Sequence, residues 1–297
     1  MCRFKLSGTA VLLAVAFVSA CSPGTEPGAA FGNAGAASAP SDSSPTDIAA
    51  AASTAPRAGG EIHDALYERL KSAMADPLRP PDDRALDATR KPIGVLRFFG
   101  IMPGMSVLDV NAAGGYYTEL LAAAVGPVGT VYAQNDPAAL SQDEGALEHQ
   151  LDARLSEGRL PNVRRMDRDL SQLDAANEFD AALLVLTLHD LYNSFGEETT
   201  IDLLHRIRSA LKPGGILGVV DHVGEASRSV DALALHRMEK SVAEDLLEKA
   251  GFTIQGESDL LANRNDDHQS SVFDESIRRR TDRFVILALR PEAANGG

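Results

Sequence analysis

Cysteine is almost missing from this chain: its 297 residues include two, Cys2 and Cys21. A disulfide framework and a thiolate metal site are thereby excluded beyond residue 21, so any folded domain must stand on its apolar core. Positive charge is also scarce. Lys and Arg number 28 against 42 Asp and Glu, a formal charge of −14. No electrostatic footprint for nucleic acid follows from that balance, nor charge-driven adsorption to anionic lipid. An acidic, solubilising surface accounts for it. Long apolar runs are missing too, since Thr9 to Val18 falls short of the roughly 20 residues a bilayer-spanning helix needs. No internal repeat is present.

What the first residues do contain is a leader pattern. Arg3 and Lys5 form a short positive region, and the apolar run to Val18 follows. Val18-Ser19-Ala20-Cys21 then resembles the lipobox of bacterial lipoproteins, which makes Cys21 the expected lipidated residue. The alternative is an ordinary secretory signal cleaved after Ala20, with Cys21 incidental. The leader bears no acid, so its removal takes the formal charge from −14 to −16. Ser22 in place of aspartate suggests, by analogy with enterobacterial sorting, the periplasmic face of the outer membrane. Residues 21–60 are dominated by Ala, Gly, Ser and Pro, which cannot bury enough surface to offset the entropy of ordering. They read as a flexible tether. The expected organisation is a signal peptide over 1–20, a tether over 21–60, a folded domain over 61–291 and a tail over 292–297.

The folded part alternates. Ile62, Leu66, Leu70 and Met74 recur at helical spacing, and Pro92 opens a second helix through Phe99. Strands are predicted at 106–110, 129–135, 163–167, 181–187, 216–221, 252–257 and 283–290. Helices are predicted at 116–125, 137–156, 198–211 and 232–250. Such alternation means an α/β fold: a Rossmann-like, doubly wound sheet of about seven strands, mostly parallel. No helix separates the last two strands, so the final strand is expected to run antiparallel.

Four features recur in order: Asp109-Val110-Asn111-Ala112-Ala113-Gly114-Gly115 after the first strand, a polar end to the second, Phe179-Asp180 leading the fourth, and Leu211-Lys212-Pro213-Gly214-Gly215 before the fifth. This order resembles the class I S-adenosylmethionine-dependent methyltransferases over nearly all of residues 84–291. More narrowly, Arg90-Lys91-Pro92, Phe98-Phe99-Gly100-Ile101, Pro103-Gly104-Met105, Gly115-Tyr116-Tyr117-Thr118-Glu119-Leu120-Leu121 and Thr281-Asp282-Arg283-Phe284 resemble a branch of predicted, often exported proteobacterial methyltransferases. The resemblance implies S-adenosylmethionine as cofactor, on Asp109, Asn111, Ala113, Gly115, Asn135, Asp136 and Asp167. The family pattern is acid-x-Gly-x-Gly-x-Gly, whose glycines turn tightly and let the backbone approach the cofactor. Asn111 and Ala113 stand at the first two glycine positions here. Asn135, followed by Asp136, stands where an acid normally accepts the ribose hydroxyls, and Asn lacks the charge-assisted strength of a carboxylate.

Beyond the fourth strand lies Thr187-Leu188-His189-Asp190-Leu191-Tyr192. The Asn/Asp-Pro-Pro-Tyr motif of exocyclic-amine methyltransferases is absent, which again counts against nucleic-acid bases. His189 is the candidate general base, with Asp190 beside it, and His222 at the end of the fifth strand should face the same opening. The alternative for His189 is a histidine that bonds backbone or shapes the pocket. His236-Arg237 follows on the next helix, where its plain reading is a surface or helix-packing pair, and the polar stretch from Asn263 to Asp282 reads as a cap. Asp221, His222, Asp266 and His268 offer oxygen and nitrogen donors without a defined ligand spacing, so no metal ligand is assigned. The expected activity is methyl transfer to a small molecule or a protein side chain. S-adenosylmethionine has no evident supply beyond the inner membrane, so the alternative is a non-catalytic, lipid-anchored binding protein of the envelope. Neither the acceptor nor the oligomeric state is specified by the sequence.

Overall fold

The computed structural model describes residues 58–225 and 230–292, with side chains over 66–225 and 233–292. The leader, the lipobox with Cys21 and most of the tether lie outside the described residues. Among the described residues, no helix is long and apolar enough to cross a membrane.

Seven strands form one sheet: β1 Ser106–Val110, β2 Thr130–Asn135, β3 Val163–Asp167, β4 Phe179–Val185, β5 Leu211–His222, β6 Thr253–Glu257 and β7 Arg283–Leu289. Their spatial order is β3-β2-β1-β4-β5-β7-β6. β1 to β5 pair in parallel, while β7 runs antiparallel to both β5 and β6. The expected doubly wound sheet with an antiparallel final strand is therefore present. The chain order reverses between β1 and β4, which opens a crevice at the carboxyl ends of the parallel strands.

Nine helices are described: α1 Ala58–Met74, α2 Pro81–Arg90, α3 Pro92–Phe98, α4 Tyr116–Val125, α5 Pro137–Leu140, α6 Ala146–Leu155, α7 Leu188–Ala210, α8 Val230–Leu235 and α9 Lys240–Lys249. Central strands alternate their apolar side chains between two cores. Ala181 and Leu183 of β4 pack with α1, α3, α4 and α6 through Leu66, Val95, Leu120 and Leu151. Ala182 and Leu184 pack on the other face with α7 and α9 through Leu204 and Leu246. Burial on both faces is what a continuous apolar strand demands.

Helix α2 was not expected, and three predicted helices differ from those observed. The helix predicted over 137–156 is two, because Glu144 (φ +58°) and Gly145 (φ +78°) turn the chain between α5 and α6. The helix predicted from residue 198 begins at Leu188, with a break at Gly196 (φ +79°). The helix predicted over 232–250 is also two, parted at His236, whose φ is +53°. The Lys-Pro-Gly-Gly turn lies inside β5: Phe179 pairs with Leu211 and Ala181 with Ile216, so the turn is an excursion within the β4–β5 ladder.

Candidate active site

Two arrangements lie at the carboxyl ends of the parallel strands. One is the loop from Asn111 to Gly115, which leaves β1 and enters α4. Asn111 (φ +50°), Ala113 (φ +53°) and Gly115 (φ +87°) all take the left-handed conformation. The backbone thus keeps a glycine-type course at two positions that carry side chains, at a cost of roughly 1–2 kcal/mol per non-glycine residue. Side chains from β2 stabilise it. Gln134 Oε1 accepts the Asn111 N–H at 3.0 Å, and Asn135 Oδ1 accepts the Ala113 N–H at 2.7 Å. Asn135 Nδ2 returns a bond to the Ala113 carbonyl at 3.3 Å. On the turn itself, Arg154 of α6 donates to the Gly114 carbonyl at 2.8 Å and to Asp83 at 2.6 Å, and pairs with Glu119.

Asn135, at the ribose position implied by the sequence, is therefore spent on Ala113 and only 3% exposed. Asp136 remains partly exposed and caps α5, using Oδ1 to accept the Ala138 N–H at 2.7 Å. Asp167 ends β3 and pairs with Arg165 at 2.8 Å. Asp109 is buried on β1, where it accepts from Thr118 Oγ1 at 2.6 Å. Burial raises its pKa to about 7, against the opposing effects of the Thr118 hydroxyl and the Arg154 charge.

The second arrangement is a histidine–carboxylate cluster at the ends of β4 and β5. His189 opens α7, and its Nδ1 lies 2.6 Å from Asp221 Oδ1 on β5. Asp221 is fully buried and also accepts the backbone N–H groups of His189 (2.9 Å) and His222 (2.7 Å). His189 Nε2 lies 3.1 Å from Asp190 Oδ1, and His236 Nδ1 lies 2.8 Å from that same oxygen. Burial draws the His189 pKa down, but Asp221 and Asp190 outweigh it and raise the value to about 10. Burial pushes the Asp190 carboxyl up, yet the two histidines hold it well below the usual carboxylate range. His222 has the opposite fate. Its Nδ1 meets Thr281 Oγ1 at 2.7 Å, and burial followed by the His189 charge keeps it neutral, far below the ordinary histidine value.

His189, Asp190 and His222 thus come together, with ring centroids of His189 and His222 5.7 Å apart. His236, read from the sequence as a surface or helix-packing residue, belongs to the same cluster. No periodicity marks it; the signal lay in the loss of helical geometry at His236, which only the fold reveals. The donors weighed beside Asp221 each have another side-chain partner: Asp266 binds Arg237, His268 binds Asp282, and His222 binds Thr281. The stretch from Asn263 to Asp282 is pinned by the Arg237–Asp266 pair, two bonds of 2.9 Å between buried groups. It brings Phe273 against the His236 ring at 4.8 Å between centroids.

No protein-family model matches the chain, and no curated protein does. Solved structures do. A SAM-dependent methyltransferase from Aquifex aeolicus is 21% identical, over 75% of this chain and 97% of its own, with a TM-score of 0.51. The [4+2]-cyclase SpnF is 20% identical, over 79% of this chain and 96% of its own, with a TM-score of 0.52. One shared architecture therefore carries two named chemistries. By strand order and these likenesses, the chain has a Rossmann-like fold, the one seen in the Aquifex aeolicus methyltransferase and in SpnF.

Proposed function

We propose that this protein binds S-adenosylmethionine and transfers its methyl group to a small molecule or a protein side chain. The observation that carries the reading is the left-handed course of Asn111, Ala113 and Gly115. Strain kept in a loop despite Asn and Ala is the mark of a geometry retained for use. The cradle ends at the amino end of α4, where backbone N–H groups favour a carboxylate. Asn111, Ala113 and Gly115 would hold the methionine part of the cofactor. Asp136 would supply the ribose contact that Asn135, spent on Ala113, does not. When bound, the cofactor supplies an electrophilic methyl group for in-line displacement, and the protein's share is mainly positioning.

On the acceptor side, His189, Asp190 and His222 would lie together at the carboxyl ends of β4 and β5. Asp221 fixes the His189 ring, and Asp190 orients the His236 ring through Nδ1. Held between Asp221 and Asp190 with its pKa raised to about 10, His189 carries its proton at neutral pH and presents a fixed positive charge rather than a proton acceptor. We place the domain in the cell envelope on a lipid anchor at Cys21, and within the exported proteobacterial branch, on the sequence motifs quoted above.

Titration of the purified protein with S-adenosylhomocysteine by calorimetry tests the reading. A saturable heat is expected, and no heat at millimolar ligand overturns it. A second reading, a donor-free protein on the same fold, is favoured by the Asn135–Ala113 bonds and by the cyclase likeness. Mass spectrometry of protein taken from native membranes separates the two: a bound metabolite unrelated to S-adenosylmethionine would support the second.

A further inference from the structure

We infer that His189, Asp190 and His236 form a binding site for one divalent first-row transition-metal ion. Three donor atoms converge: His189 Nε2, Asp190 Oδ1 and His236 Nδ1, all within 4.8 Å of one another. Their separations are 3.1 Å, 2.8 Å and 3.4 Å. Ligands about 2.0–2.2 Å from a common ion, at tetrahedral or octahedral angles, stand about 2.8–3.5 Å apart. The spacing therefore matches a shared ion, which on binding would displace the proton that His189 Nε2 holds toward Asp190.

The surroundings fit as well. A metal-bound histidine usually gives its other ring nitrogen to a carboxylate, which fixes the tautomer and the ring plane. His189 has that partner in Asp221, 2.6 Å from Nδ1 and fully buried. Asp221 is itself held by two backbone N–H groups, so it cannot swing into the site as a ligand. His236 reaches the cluster only because the chain turns left-handed between α8 and α9, and the Phe273 ring packs against it. Access remains, since the Asp190 and His236 side chains are 18% and 16% exposed. Two imidazoles and one carboxylate select zinc, iron, cobalt, nickel or manganese over calcium and magnesium. Three protein donors leave coordination positions open, as in reactive rather than structural sites. This ion would sit on the acceptor side of the crevice proposed above. Its binding is measured with no methyl donor present, so its failure and the failure of methyl transfer are distinguishable.

The test uses untagged full-length protein stripped with a chelator, then titrated with Zn²⁺ against a chromophoric competitor, with Co²⁺ absorption as a second readout. One ion per chain is expected, together with visible Co²⁺ bands from nitrogen and oxygen ligands. His236→Asn removes the imidazole while tolerating the left-handed backbone, and should weaken binding about 100-fold or more. Asp221→Asn should weaken it about 10- to 100-fold. His205→Ala, an exposed ring on α7, should leave it unchanged. Circular dichroism melts establish that each variant is folded. Equal Zn²⁺ affinity in the wild type and His236→Asn, or no binding of either ion by the wild type, would overturn the assignment.

Discussion

Asn135 and Ala113 exchange two hydrogen bonds, side chain to peptide, across the ends of β2 and the β1–α4 loop. The pair makes one stability prediction in each direction. Asn135→Leu strands the Ala113 N–H and should cost about 1–3 kcal/mol. Ala113→Gly removes the β-carbon from a left-handed site and should gain about 1 kcal/mol. Urea unfolding midpoints at constant m would check both.

Asp109 should make stability depend on pH. Its carboxyl titrates near 7 in the folded protein and near 3.8 when exposed. Between these values the unfolded chain binds fewer protons, so stability falls as pH rises from about 4 to 7 and is level above. The gap corresponds to about 4 kcal/mol. Asp109→Asn keeps an acceptor for Thr118 and should flatten that slope, as measured by unfolding at pH 4, 6 and 8.

Breaking the Arg237–Asp266 pair should release the segment that carries Phe273. Asp266→Ala leaves a buried guanidinium uncompensated, a change worth about 3–5 kcal/mol. Limited proteolysis is expected to cut within residues 264–280 in the variant well before the wild type. Equal cleavage rates would show that the segment is held by something else.

Two glycines separate backbone strain from crowding. Gly115 (φ +87°) and Gly158 (φ +68°) are both left-handed, yet a β-carbon at Gly115 would lie 3.0 Å from Arg154 and Leu151, and one at Gly158 meets nothing within 4 Å. Gly115→Ala should therefore be more destabilising than Gly158→Ala by about 1–3 kcal/mol. Thermal melts of the two variants give the comparison.

Most of the sheet was legible because its signals are local. Apolar runs such as Ala181 to Leu184 mark buried strands, and the absence of a helix between β6 and β7 predicts their antiparallel pairing. The breaks at Glu144, Gly196 and His236 were not legible. Glu144 and His236 are helix-compatible residues that nonetheless take the left-handed conformation, His236 with Asp190 and Phe273 against its ring. The site divides likewise. His189, Asp190 and His222 sit at strand ends and could be read from their positions. His236 could not, because its approach depends on a turn that no spacing encodes. Asn135 was read for its end-of-strand place, while its partner on the neighbouring loop became visible only with the fold.

The placement of β7 has a consequence for how the chain acquires its shape. β7 lies between β5 and β6 although it follows both in sequence. While the protein is being made, β6 emerges with no neighbour to pair with, and β5 keeps one side of its ladder bare. A ribosome-bound fragment ending near Glu257 would thus carry an open edge and an unattached strand, both prone to sticking. Completion is a single late event, the insertion of about seven residues, and a chaperone would be needed longest just before it.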